Sequence, residues 1–472
     1  MIFTFIIAYS PKITATNNLP DLGNETQTII SSKDETLIGK VWLHQLQHAG
    51  IISSDVILNT YLQNIGNYLV SNSNQQELKK FNFFMVNHED INAFAFMGGN
   101  VGIFAGLINL TETESELAAI LAHEISHITQ KHFARQLLQQ KRLIPITIIE
   151  AIAMAAIGIP DLIVPILGVH IQQMLNFSRH QEQEADHLGI EILNRSKFDP
   201  LGMGNIFAKM DKLTNNDTIT SNKFLLTHPL FKDRILEAYT RIPKTTYQQY
   251  TNSDDYQLIK VIINNYLYKN KTDLLLKIEK NLKNHAYHNE LAIYYQQAIT
   301  LKDLHKYSKA KKILTKLAEQ HPNNLIIQIS LAELLLSNEP KLSKTTLENL
   351  IPIFPDHLPL ILTYAKALIM LNEPLKAKES LNIFNQEHLE DLLEEPQIYQ
   401  LLIACNQKLQ VIDETLLLQA KLMVINHQLD AAEQKINLAL KKTNKDNNNF
   451  YKINKFKTEL QQYKEILKSI EF

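Results

Sequence analysis

Apolar spacing alone divides the chain into two regimes. Leu37, Val41, Leu43 and Leu46, and then Val56, Leu58, Leu62, Ile65 and Leu69, fall at helical intervals across residues 36–72. Residues 81–86, FNFFMV, read as a strand. Residues 91–109, INAFAFMGGNVGIFAGLIN, predict two short strands turning at Gly98-Gly99-Asn100, a hairpin pattern. Thr111, with Glu114 three residues on, has capping-box spacing and predicts the start of a helix. That helix carries an apolar face of Leu117, Ile120, Leu121, Ile125 and Ile128.

After about residue 254 the pattern becomes helix–turn–helix. A helix over 291–301, a turn at Lys306-Tyr307 and a helix over 310–318 end in His321-Pro322-Asn323. Ala332 and Ala365 lie 33 residues apart, as do Pro322 and Pro355. Ser337-Asn338-Glu339-Pro340 and Leu371-Asn372-Glu373-Pro374 lie 34 apart. A period near 34 with small residues at helix crossings is the signature of tetratricopeptide repeats. A further unit follows at 416–442, after an irregular segment around 386–398. Such repeats bury a core only by stacking, which gives a curved array with a concave protein-binding face.

Composition sharpens this division. All 13 glycines lie at or before Gly204, so the first half reads as mixed structure with strands and loops and the second as nearly pure helix joined by short turns. With 45% hydrophobic and 20% charged residues the chain is globular. A net charge of −2 supplies no basic field, so no nucleic-acid partner is expected. The single cysteine, Cys405, excludes an intrachain disulfide and a cysteine-ligated metal. Residues 2–9, IFTFIIAY, with Ala8-Tyr9-Ser10 as a small-x-small site, resemble the end of a signal peptide without its basic n-region. This predicts export, a start upstream and a mature chain from about Pro11. Residues 143–169 are apolar but interrupted by Glu150, Pro160, Asp161 and Pro165. A helical hairpin lying against the fold or the membrane surface fits them better than a span.

The chemistry concentrates in His123-Glu124-Ile125-Ser126-His127, H-E-x-x-H on the capped helix. At i and i+4 both imidazoles project from one face and reach one tetrahedral metal, with Glu124 placed to take a proton from the attacking water. Two ligands are too few for a catalytic zinc. A metzincin third histidine is ruled out by Gln130 and Phe133. Residues 179–190, RHQEQEADHLGI, put Glu182 and Asp186 one turn apart on a second helix. Glu182 would complete a two-His, one-Glu set, with Glu184 the weaker alternative. Asp186 would take a hydrogen bond from a liganding imidazole and fix its tautomer. His180 and His187 read as surface residues, and His44 with His48 as a structural pair lacking a carboxylate.

H-E-x-x-H followed by E-x-E-A-D resembles the zinc metallopeptidases grouped with the HtpX and CaaX-prenyl proteases. The similarity extends to their periplasmic members that act in outer-membrane β-barrel assembly and carry C-terminal tetratricopeptide repeats. It is carried by Leu19-Pro20-Asp21-Leu22-Gly23, Glu89 to Asn100, Ala122 to His132, Glu182 to Ile190 and Thr227-His228-Pro229-Leu230. The resemblance implies one Zn²⁺ per chain on His123, His127 and Glu182, with Glu124 as general base. It also implies that His228 can sit on the metal in a latent state and assist the transition state, and that Arg234 lies near the site, so that His228 and Arg234 join Glu124 as expected catalytic residues. The strand Asn92, Ala93, Phe94 and Ala95 is expected to bind substrate backbone by β-augmentation.

The expected fold is α+β, mainly α. A residual signal peptide over 1–10 precedes a zincin-type metalloprotease domain over 11–250 and an all-α repeat array over 251–472. The expected function is zinc-dependent endopeptidase and chaperone in the periplasm, at the inner face of the outer membrane. Its expected partners are unfolded or misassembled barrel proteins and, through the repeats, the assembly machinery. The alternative is a chaperone or scaffold with a latent site.

Overall fold

A computed structural model describes residues 32–73, 80–132, 135, 177–215, 228, 232–241, 250–388 and 395–470. The expectations for residues 1–10, for Leu19 to Gly23, for 143–169 and for the neighbours of His228 lie outside these residues. Among the described residues no helix is long and apolar enough to cross a membrane.

Two helices, α1 (Ser32–His48) and α2 (Val56–Ser71), lead into the strands β1 (Asn82–Val86), β2 (Ala93–Phe96) and β3 (Asn100–Phe104). The sheet order is β1-β3-β2, with β1 parallel and β2 antiparallel to β3. The predicted hairpin is therefore present. Gly98 and Gly99 turn it at φ +79° and +78°, backbone that L side chains rarely adopt. Its second strand is shorter than expected: from Ala105 the chain becomes helix α3 (Ala105–Leu110) rather than continuing extended. The next helix, α4 (Glu114–Thr129), is capped by Thr113, whose side chain accepts from Glu116 N, and not by Thr111. Glu116 accepts from Glu112 N at 2.7 Å, one residue before the cap, so the hydroxyl cap lies two residues beyond the expected register and the reciprocal bond goes to the preceding residue. Thr111 instead bonds Ile108 O and Tyr256 Oη.

Then follow α5 (Arg179–Arg195), α6 (Leu201–Asn215) and α7 (Lys232–Thr240). Twelve further helices, all after Ser253, make up the rest: α8 (Asp254–Leu267), α9 (Lys271–Lys283), α10 (Glu290–Asp303), α11 (Tyr307–Gln320), α12 (Leu325–Leu335), α13 (Pro340–Glu348), α14 (Leu358–Met370), α15 (Pro374–His388), α16 (Pro396–Lys408), α17 (Ile412–Ile425), α18 (Leu429–Lys442) and α19 (Asn448–Ile470). The mainly helical α+β class is as the sequence predicts.

The repeat period has a physical counterpart. Glu339 and Glu373 each precede a proline that opens a helix, and each receives a lysine from the previous unit. Lys311 Nζ lies 2.5 Å from Glu339 Oε1, and Lys344 Nζ lies 3.0 Å from Glu373 Oε1.

The sheet is packed on both faces, and strand alternation sorts its side chains between them. Phe83, Met85, Ala93, Val101 and Ile103 join a core with α2, α4, α5 and α6 that continues into Tyr256, Ile259, Tyr295, Leu314 and Leu331 of the array. Phe84, Val86, Phe94, Phe96 and Phe104 pack with Trp42 of α1 and with Leu416, Ile436 and Tyr463 of the last helices. The array thus closes over the N-terminal unit from two sides, with no break in the core near residue 250. Lys260 of α8 adds a polar tie, donating to the carbonyls of Ile108, Asn109 and Thr111. Burial pushes its ammonium down to about 8.

The glycine-free half still needs left-handed residues at its turns. His285, His305, Asn372, Gln410 and His427 all have φ between +51° and +60°. At Gln410 the following amide, Val411 N, bonds Asn406 O, the six-to-one closure of a Schellman motif normally built on glycine. Gln410 is exposed. Gln410→Gly should therefore stabilise the chain by about 0.5–1 kcal/mol, because only non-glycine side chains carry the left-handed penalty. Chemical denaturation showing equal or lower stability would contradict this.

Candidate metal centre

Helix α4 runs through the centre of the N-terminal unit, with every residue from Ser115 to His127 buried. His123, Glu124 and His127 are therefore presented from a rigid element. Helix α5 begins with a complete capping box, Ser178 to Gln181, which fixes the first turn on which Glu182 stands. Gly189 lets α5 lie close against α4: a Cβ there would meet Met203 Cε at 2.8 Å and His123 N at 3.4 Å.

Four ligand atoms, one each from His123, His127, Glu182 and His228, all lie within 4.8 Å of one another, and all four residues are buried. His123 Nε2 is 3.0 Å from His127 Nε2 and 3.3 Å from His228 Nδ1. Glu182 Oε1 is 3.4 Å from His127 Nε2 and 3.0 Å from His228 Nδ1. A tetrahedron with metal–ligand bonds of 2.0–2.1 Å has edges of about 3.3 Å. Four of the six separations match that edge and the widest reaches 4.8 Å, so the set has the nitrogen–oxygen chemistry and nearly the size of a tetrahedral metal site. Glu124 stands beside it, fully buried, with Oε1 lacking a hydrogen-bond partner and 3.7 Å from His228 Nε2.

The electrostatics suit a cation. Burial alone would raise the Glu182 carboxyl, but His228, Arg234 and the His127 hydrogen bond hold it well below its ordinary 4.5. Burial pushes His127 well below 6.5, which keeps it neutral, the form that ligates. Burial would also lower His228, yet the carboxylates of Glu182 and Glu124 hold it above 6.5. Burial raises Glu124, against the opposing influence of His228 and His123.

The residues behind the donors are charged as well. His123 Nδ1 lies 3.0 Å from Asp186 Oδ1. Arg234 donates to both Asp186 oxygens, at 2.7 Å from Nε and 2.8 Å from Nη2, and its Nη1 lies 2.7 Å from Glu182 Oε2. Its guanidinium is thus committed to two carboxylates, a positioning arrangement, and stacks over Phe207 at 4.7 Å.

The structure therefore brings together His123, Glu124, His127, Glu182, Asp186, His228 and Arg234. Glu184 is not in the group: it meets His132 and Arg135 instead. His44 is buried against Tyr463 Oη at 3.2 Å, while His48 faces the His427 ring, so neither joins a metal cluster. His187 is half exposed and pairs with Glu191. Asn92 to Ala95 lie on or beside β2, an edge strand that packs against α4. Sequence reasoning missed His132 and Phe177. The former, one turn beyond the second ligand histidine, was a legible signal. The latter stacks on His127 with 4.2 Å between ring centroids, and no motif marks it.

Residues 57–242 match the family model described as Peptidase family M48. The chain is similar to a β-barrel assembly-enhancing protease of Yersinia pestis, 35% identical over 316 residues, covering 65% of this chain and 64% of that protein. The Escherichia coli K12 protein of the same name is 32% identical over 317 residues, with the same coverage. A mitochondrial metalloendopeptidase OMA1 of Schizosaccharomyces pombe is 27% identical over 192 residues, 41% of this chain and 55% of that protein. The matched stretch spans 64% of the length of the first two relatives. The resemblance read from the motifs is borne out by these matches.

The geometry makes Glu182 a direct donor and Glu184 a remote one. Elemental analysis after reconstitution should find one equivalent of metal in the wild type and in Glu184→Gln, and none in Glu182→Gln. Stoichiometric metal in Glu182→Gln would remove that residue from the donor set.

Proposed function

We propose that the chain is a zinc metalloendopeptidase of the periplasm that cleaves unfolded or misassembled outer-membrane β-barrel proteins. In this reading the repeats dock the chain on the barrel-assembly machinery at the inner face of the outer membrane. The observation that carries it is the buried set of three imidazoles and one carboxylate with Glu124 beside it. The match to an M48 peptidase model over that segment supports the reaction class. The relatives' role as β-barrel assembly-enhancing proteases supplies the barrel-assembly context.

Zinc, when bound, supplies a Lewis acid for the scissile carbonyl and lowers the pKa of the attacking water to about 7. Glu124 takes the water's proton and passes it to the leaving amine. Arg234 and Asp186 hold Glu182 and His123 in place while this happens. At the edge of the described sheet, β2 is where an extended substrate segment would pair by its backbone. That mode of binding selects unpaired strands, which misassembled barrels expose, over any single side chain.

A second reading, a chaperone or scaffold with a latent protease site, is favoured by one observation: the His228 nitrogen occupies the fourth vertex of the donor set. A four-ligand site is closed, whereas a catalytic one keeps a position open. The two readings agree if His228 is a plug that a partner withdraws. Such a partner must bind the open form better, since a ligand shifts an equilibrium only by differential affinity.

Glu124→Gln should keep metal and fold while its peptide hydrolysis falls by about 10²–10⁴-fold. Hydrolysis of an unfolded barrel protein at the wild-type rate would exclude Glu124 as the base. His228→Ala should cleave a loosely folded substrate faster than wild type. Equal rates on several substrates, with zinc retained in both proteins, would show that His228 does not gate the site.

A further inference from the structure

We propose that His132 and Glu184 are positioning residues that lock His127 into the tautomer able to bind metal; the inference rests on the zinc reading above. His132 is fully buried, and its Nδ1 lies 2.9 Å from His127 Nδ1. Its other nitrogen, Nε2, lies 2.9 Å from Glu184 Oε2. Arg135 Nη1 is 3.4 Å from that same oxygen, on the surface, where Glu184 is 40% exposed.

The order of the donors is forced. His127 Nε2 faces the metal donors, so it must present a lone pair and the ring must carry its proton on Nδ1. That N–H points at His132 Nδ1, which must therefore accept. A neutral His132 that accepts on Nδ1 carries its proton on Nε2 and donates to Glu184. Each link admits one direction, and the chain ends on a carboxylate. His123 reaches the same result in one step, through the contact of its Nδ1 with Asp186. Each of the two histidines on α4 is thus backed by a carboxylate from α5, one directly and one through an imidazole.

Local backbone makes the second route available. Glu184 lies two residues from Glu182 and so leaves α5 on a different side. The chain after α4 meets it there. Lys131 takes a left-handed φ of +53°, ends the helix and carries His132 back under His127. Phe177 stacks on His127 at 4.2 Å and lies 6.2 Å from His132, closing the outer side of the pair.

The test is zinc affinity of the full chain, measured by chelator competition. His132→Leu removes the acceptor and should bind zinc about 10–100-fold more weakly, the usual effect of losing such a partner. His132→Gln keeps an amide oxygen to accept and an N–H to donate, and should recover most of that loss. A simple space-filling role would be met equally by leucine. Glu184→Gln, at an exposed position, should fold normally and weaken binding by less, and should have no further effect in the His132→Leu background. Zinc bound as tightly by His132→Leu as by wild type would overturn the proposal, as would a Glu184→Gln effect that is undiminished in the double variant. A wild-type chain that takes up no zinc would instead overturn the zinc reading, and the inference with it.

Discussion

A buried ion network holds the centre of the N-terminal unit, and the surrounding architecture exists around it. Glu124, Glu182 and Asp186 are all buried within an otherwise apolar core. Unpaired, such carboxylates would be intolerable, and breaking a buried pair costs about 3–5 kcal/mol. Arg234 supplies the compensation, bridging Glu182 and Asp186 from α7, itself fully enclosed. The imidazoles of His123, His127 and His228 also contact the Glu182 carboxylate, and His228 Nε2 stands 3.7 Å from Glu124 Oε1. Three helices, α4, α5 and α7, are therefore pinned to one another by charge at the point where they are pinned by apolar packing. Glu182 can serve as a donor with its charge intact because Arg234 faces its far oxygen.

The sheet beside that centre depends on the array. The sheet that flanks α4 has apolar side chains on both faces, and a three-stranded sheet cannot bury both by itself. The first repeat helices cover one core and the last cover the other through α1. This closure differs from an open solenoid, in which each unit touches only its neighbours. It leaves β2 at the edge of the described sheet, packed against the helix that bears the histidines.

Much of this was legible because helical and strand periodicities place side chains deterministically. The i, i+4 spacings of His123 with His127 and of Glu182 with Asp186 fix their common faces, and helix packing need only bring the faces together. The glycine pair at 98–99 announced its turn, since few other residues accept that backbone. What escaped the sequence depended on tertiary partners. Thr111 and Thr113 both offer a capping hydroxyl, and the choice was decided by Tyr256, which engages Thr111 from well over a hundred residues away. The strand over 100–109 was cut short because Gly106 packs its backbone against the carbonyls of Glu89 and Asp90, leaving no room for a Cβ. The glycine-free half reads as helices joined by short turns, and those turns put His285, His305, Asn372, Gln410 and His427 into left-handed backbone without glycine, which composition alone does not announce.

His228 shows where chain position and chemistry part company. A histidine beside a proline carries no metal signal by itself, and its nearest donor partner, Glu182, is 46 residues away. Its place in the donor set is a matter of tertiary contact: Nδ1 lies 3.0 Å from Glu182 Oε1 and 3.3 Å from His123 Nε2. Against burial, the carboxylates of Glu182 and Glu124 hold its imidazole above 6.5. A pocket that favours positive charge also suits a divalent cation, because such an ion can recruit the neutral nitrogens of His123 and His127 as well. His228 is therefore both a donor within reach of that cation and the competitor for the position that a catalytic site keeps open.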